Sequence, residues 1–210
     1  MGIADGWRML DGEVEVDEAF YTTTRPKHLK EEHLSRGSGS ERKIAVVVMS
    51  QSYTPDPFEE SGKKHKHSHG LGRVRYAVIP DLKKRTVMGK VRAHVKKGST
   101  IYSDASKSHA DFHLLYNHKE EVVPPNNAHT VLPWVHMCIS NAKDIDAVHH
   151  MVLPYYLQNY LDFCSFKINR RRMDNVRLWE EVMHVMTTTQ SKFRSVVYPL
   201  NANFQLKVPA

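Results

Sequence analysis

Hydrophobic and polar residues alternate along residues 13–21. Val14, Val16 and Phe20 fall on one side; Glu13, Glu15, Asp17 and Tyr21 fall on the other. A period of two predicts a half-buried strand. Its second face is acidic, and such a face is either solvated or gathers a cation. The run Ile44-Ala45-Val46-Val47-Val48-Met49 is apolar without alternation, as a strand covered on both faces is. Residues 73–79 predict a third strand, and Pro80 and Asp81 turn the chain. Residues 83–97 suit a basic helix broken by Gly98, and Ile101 and Tyr102 lead to Asp104 on a short fourth strand. A small helix near 107–113 and a fifth apolar stretch, Leu114-Leu115-Tyr116, follow.

The second half reads as helical. A helix is predicted over 134–150, and a longer one from Tyr155 to Arg172 with Leu157, Tyr160, Leu161 and Cys164 at helical spacing. It ends in Asn169-Arg170-Arg171-Arg172, where arginines either offset the helix dipole or clamp a phosphate. A further helix over 176–188 carries Leu178, Trp179, Val182 and Val185. Residues 22–42 and 53–72 read as loops, and Pro124 and Pro125 mark another. The second loop holds Lys63-Lys64-His65-Lys66-His67-Ser68-His69. A solvated basic loop is the plainer reading of that segment than a metal site, because nothing nearby fixes ligand geometry. The order, three strands, a helix, a strand, a helix, a short strand and then helices, predicts an α/β sheet with helices packed on it. In the ribonuclease-H-like version of that layout the first and fourth strands are neighbours, which would set Asp17 beside Asp104.

Composition narrows the partners. The 210 residues suffice for one domain with a full core, and 40% hydrophobic content is that of an ordinary folded chain. No apolar run approaches the roughly 20 residues that span a bilayer, and residues 1–12 lack the pattern of a secretory signal. Two cysteines, Cys138 and Cys164, are too few for a disulfide scaffold, so a reducing, cytoplasmic setting is expected. A net charge of +7, with 14 histidines uncounted, suits a polyanion.

Three segments carry candidate chemistry. Asp17 lies in Val14-Glu15-Val16-Asp17-Glu18-Ala19-Phe20, and Asp104 ends Ile101-Tyr102-Ser103-Asp104. Asn141 lies in Leu132-Pro133-Trp134-Val135-His136-Met137-Cys138-Ile139-Ser140-Asn141-Ala142-Lys143. Two acids on strands and an oxygen ligand on a later helix could hold divalent ions over a phosphodiester. With Tyr156-Leu157-Gln158-Asn159-Tyr160-Leu161 and Asn169-Arg170-Arg171, these segments over about residues 10–172 resemble the DDE-type transposases of bacterial insertion sequences. The similarity is to the group with a zinc-ribbon N-terminus and a ribonuclease-H-like catalytic domain, in the subgroup with Asn where others have Glu.

The resemblance implies a mixed five-stranded sheet flanked by helices and a function in DNA transposition. Asp17, Asp104 and Asn141 would be the catalytic and metal-binding residues for Mg²⁺ or Mn²⁺. One ion would activate water or a DNA 3′-hydroxyl, and the other would stabilise the leaving oxygen. Double-stranded DNA, as transposon ends and target, would be the partner. His136, Lys143, Asn169, Arg170 and Arg171 would contact it, although His136 packed in the core and Lys143 simply solvated are the plain alternatives. Asp144, three residues beyond Asn141, is a second candidate for the third ligand. The implied protein acts near the nucleoid as a multimer, with no membrane.

The chain also departs from the pattern. No Cys-x-x-Cys occurs, so the zinc ribbon is expected to be absent and the chain a fragment or truncated copy. Asp144 stands where Arg is common, and residues 173–210 form a C-terminal helix and a tail without a family match. A catalytically inactive DNA-binding remnant, or a nuclease without strand transfer, are the competing functions.

Overall fold

The computed structural model describes residues 8–24, 43–53, 70–121, 131–149 and 152–188. Strand β1, Glu13–Thr22, is the middle of a five-stranded sheet. β2 (Lys43–Tyr53) and β3 (Gly70–Ile79) extend it antiparallel on one side. β4 (Thr100–Asp104) and β5 (Asn117–Glu121) extend it in parallel on the other, giving the order β3-β2-β1-β4-β5. Helix α1, Lys84–His94, makes the crossover that a β3-to-β4 passage across the sheet requires. Gly98, at a φ of 83°, reverses the chain just before β4, a conformation that costs glycine nothing. Helices α2 (Pro133–His149), α3 (Leu157–Asn169) and α4 (Asn175–Thr188) follow. This is the ribonuclease-H-like α/β layout expected from the order of elements.

Alternation in β1 builds two cores. Val14 and Val16 join Val47, Met49, Val87, Val91 and Ile101 in the layer beneath α1. Ala19 and Tyr21 join Val46, Val48, Val135, Cys138 and Leu161 in the layer beneath α2 and α3. Tyr21 is thus core, 1% exposed, and Phe20 is the outward residue at 39%. The Tyr21 hydroxyl reaches the Ile139 carbonyl, and the Tyr76 hydroxyl donates to the Cys138 carbonyl at 2.9 Å. A tyrosine with a partner for its hydroxyl buries as readily as a phenylalanine, so Tyr21 is core although it shares the face of Glu15 and Asp17, as the alternation predicts. α2 is thereby tied to β1 and β3.

The fifth strand is not the apolar stretch Leu114–Tyr116 but the polar segment after it. Leu114 sits in a 3₁₀ turn, 67% exposed, and Tyr116 is buried under α1. Asn117–Glu121 pairs with β4 through its backbone. It is a sheet edge, and Lys119, Glu120 and Glu121 are the side chains with which proteins blunt an edge. β3 also starts earlier than the pattern predicts, at Gly70. A Cβ on Gly72 would meet the Gln51 carbonyl oxygen at 2.8 Å, opposite a register shift between Ser50 and Ser52. The histidine- and lysine-rich segment 63–69, like residues 25–42 and the tail from 189, lies outside the described residues.

The other sheet edge, β3, is covered by side chains of α3 and of the turn that follows it. Gln158 accepts from Val78 N–H at 2.8 Å and donates to the Tyr76 carbonyl at 3.0 Å. Asn169 accepts from Val74 N–H at 2.8 Å and donates to the Val74 carbonyl at 3.2 Å. The Ser165 hydroxyl donates to the same carbonyl, and Arg171 donates to the carbonyls of Gly72 and Leu71. Even-numbered residues of β3 turn their backbone groups away from β2, so α3 supplies the partners a sixth strand would have given. Arg170, 5% exposed, stacks on Phe166 at 3.9 Å and pairs with Glu181 of α4 at 2.7 Å. Asp174 caps α4, its Oδ1 accepting from the N–H groups of Val176 and Arg177.

Candidate active site

Parallel pairing of β1 with β4 runs Glu13 to Thr100, Val14 to Ile101, Glu15 to Tyr102 and Val16 to Ser103. One step further sets Asp17 beside Asp104, at the C-terminal end of β4 and on the α2 side of the sheet. Neighbouring strands stand about 4.8 Å apart, so two carboxylates meet in a half-buried place. Burial pushes Asp17 up to about 6, and the charges of Asp104 and Glu18 add to that; the Glu18 N–H on Asp17 Oδ1 and the His109 charge oppose it. Asp104 moves the other way, held low first by its hydrogen bond from His109 and also by the Ser106 N–H.

Glu15 shows what a nearby carboxylate does when it has partners. It lies on the same face of β1, 6% exposed, and its Oε2 accepts the N–H groups of Trp134 and Val135 at 2.9 and 2.8 Å. Those are orphan donors of the first turn of α2, a natural seat for an anion. Burial still lifts Glu15 to about 7 against these two bonds. The expected acidic face of β1 is therefore neither solvated nor uniform. Glu15 fixes the start of α2, and Asp17, with the Glu18 N–H on its Oδ1, stands between Asp104 and His136.

His136 stands one turn into α2, its Nδ1 3.8 Å from Asp17 Oδ2, and its charge helps hold Asp104 low. Lys143 is exposed seven residues on, which returns to nearly the same flank of a helix. Asn141 is exposed too, but five residues from His136 is about 140° around the helix. Among the described residues, no hydrogen bond or ion pair joins Asn141 to either carboxylate. Asp144 is exposed, and its charge contributes to the raised pKa of the Cys164 thiol in α3, after burial and against Lys167. Asn169, Arg170 and Arg171, expected at DNA, have the intramolecular partners described above.

Two residues escaped the sequence reading. Glu18 alternates to the face opposite Asp17, and buried His109 lies between it and Asp104. His109 Nε2 is 2.8 Å from Glu18 Oε1, and its Nδ1 is 2.9 Å from Asp104 Oδ1. Burial alone would lower the imidazole, but hydrogen bonds to Asp104 and Glu18 carry it to about 10. Glu18, Asp104 and His109 also bring three ligand atoms within 4.8 Å of one another. The residue next to Asp17 in the acidic motif was a signal for Glu18; nothing local in the sequence marks His109.

The sequence matches the family of ISXO2-like transposase domains over residues 9–169. The chain belongs to that family. No curated relative and no solved structure matches it. The match spans β1 through α3, so both carboxylates of the candidate site and the helix over them fall inside it. A DDE-type insertion-sequence transposase acts on DNA, and such enzymes typically use divalent metal. The donors present fit such an ion. Asp17 and Asp104 offer hard oxygens, and a divalent cation would favour the charged form of Asp17 that burial, and after it the charges of Asp104 and Glu18, disfavour. No described helix of the transposase domain is long and apolar enough to cross a membrane.

Proposed function

We propose that this transposase domain catalyses metal-dependent phosphodiester cleavage and strand transfer for an insertion sequence, with Asp17 and Asp104 holding Mg²⁺ or Mn²⁺. The observation that carries the reading is the meeting of these two carboxylates on adjacent parallel strands, with Asp17 raised to about 6. When bound, the metal would activate the attacking oxygen and stabilise the leaving one. The chain's own residues prepare for that. Glu15 fixes the first turn of α2, and α2 sets His136 against Asp17. His136 and Lys143 give that flank of α2 positive charge toward a phosphate backbone. Asn169 and Arg171 enter as groups that fix α3 on β3, and Arg170 as one that ties α3 to α4.

Asn141 belongs to the proposed site only if α2 turns, because its amide is on another flank. That placement also favours a second reading, a DNA-binding remnant whose metal site is incomplete. Titration calorimetry with Mn²⁺, on the unaltered chain and on Asp17→Asn, Asp104→Asn and Asn141→Ala, decides between them. Saturable binding lost in both aspartate variants supports the catalytic reading, and a further loss in Asn141→Ala brings the amide into the site. No Mn²⁺ binding, with salt-dependent DNA binding retained, supports the remnant.

A further inference from the structure

We infer that His109 is a positioning residue for Asp104, anchored from behind by Glu18. The inference rests on the metal-site reading above. Asp104 is the last residue of β4, and its backbone pairing with Glu121 of β5 does not fix its side chain. His109 Nδ1 and Ser106 N–H both reach Oδ1, at 2.9 and 3.2 Å. Oδ2 accepts from neither, and so one oxygen is held by the protein while the other is left for a cation. A carboxylate fixed through one oxygen has lost the rotation that would blur the ligand position.

The imidazole is itself fixed from every side. Its Nε2 meets Glu18 Oε1 at 2.8 Å, and that oxygen also accepts the Ser108 hydroxyl at 2.7 Å. Its ring stacks on Phe112 at 4.9 Å, and Phe112 meets Tyr116 and His118 edge-on at 6.5 and 5.4 Å. Ser106 caps the 3₁₀ turn Lys107–His109, accepting from Ser108 N–H. Both ring nitrogens are committed to carboxylates, which favours a role through Asp104 over direct metal ligation. The chain Glu18–His109–Asp104 thus joins β1 to the end of β4 a second time, through side chains.

The test is Mn²⁺ titration calorimetry on the full chain, with His109→Gln, Glu18→Ala and Glu18→Gln beside Asp104→Asn. Circular dichroism establishes that each variant is folded. His109→Gln should weaken Mn²⁺ about 10- to 100-fold, the usual effect of losing an outer-shell partner. Glu18→Ala should weaken it less, and Glu18→Gln should restore most of that loss because its amide oxygen still accepts from Nε2. If His109→Gln does not fold, the Glu18 pair gives the answer. A merely structural role lowers the melting temperature and leaves Mn²⁺ affinity of the folded chain alone. Wild-type affinity in His109→Gln, or equal affinity in the two Glu18 variants, overturns the inference while the metal site stands. A nitrogen-14 modulation in the Mn²⁺ electron spin echo that vanishes in His109→Gln would also overturn it, by making His109 a ligand. Absence of Mn²⁺ binding by the unaltered chain overturns the metal site and this inference together.

Discussion

The two sides of the sheet treat polar groups in opposite ways. Along β3, Gln158, Ser165, Asn169 and Arg171 meet the outward backbone groups of the strand, each donor with an acceptor. At the junction of β1 and β4, the carboxylates of Asp17 and Asp104 stand side by side, Asp17 lifted to about 6 chiefly by burial and Asp104 held low by His109, with His136 Nδ1 3.8 Å from Asp17. The first is a saturated arrangement, complete without a ligand. The second holds carboxylates whose charge is disfavoured by burial first and like charge next, and in the proposed reading a divalent cation would offset that cost. Polar side chains at both places look alike in a sequence, and only the state of their partners separates a structural role from a chemical one.

The largest effect expected is at the carboxylates. Asp17→Asn or Asp104→Asn should weaken Mn²⁺ by about 100-fold or more, because each removes a charged oxygen ligand from a pair. Calorimetry in the absence of DNA reads this directly. An affinity within threefold of the unaltered chain would show that these carboxylates do not hold the ion.

Asn169→Leu tests the saturated side. It removes two hydrogen bonds to Val74 and leaves a strand N–H and a carbonyl covered but unpaired. Each such group costs about 1–3 kcal/mol, so a loss of about 3–4 kcal/mol is expected in urea unfolding. Mn²⁺ affinity of the folded variant should not move. A variant as stable as the parent would mean that α3 rests on its apolar face alone.

Asp17→Asn carries a second, opposite effect when no metal is present. The folded group titrates near 6 and the unfolded one near 3.8, so the folded chain holds the extra proton and ionisation costs stability as pH rises between the two values. The variant should therefore be no more stable than the parent below pH 3.8 and gain up to about 3 kcal/mol above pH 6, a rise of that size being worth about 1.4 kcal/mol per decade. Thermal unfolding in chelator at pH 4 and pH 7.5 measures it. A gain that is the same at both values would show that charge is not its source.

The sequence shows the carboxylate pair better than it shows the saturated edge. Alternation around Asp17 and the apolar lead into Asp104 mark both strands, and element order makes them neighbours. Gln158 and Asn169 look like helix-surface residues because their partners are backbone groups some 80 and 95 positions away. His109 is hidden for the same reason, its Glu18 partner lying 91 positions back. The polar strand Asn117–Glu121 has no apolar period to betray it, since edge pairing is made by backbone. Asn141 is assigned from the resemblance of its motif, and a motif does not say which flank of a helix its residues occupy.

The smallest effect is expected where α3 hands over to α4. Arg170 is buried, but its partner Glu181 is 36% exposed, so the pair lies between the two regimes. Stacking on Phe166 at 3.9 Å already offsets part of the burial of the guanidinium. Glu181→Gln keeps an oxygen for the 2.7 Å hydrogen bond and removes only the charge. The expected loss is about 1 kcal/mol, because solvent on the glutamate side screens the attraction. Raising the salt concentration should shrink the difference between parent and variant, as it does for exposed pairs. A loss nearer 4 kcal/mol would place Arg170 among truly buried charges that fail without their counter-ion. The saturated region would then rest on one ion pair as much as on the four side chains along β3.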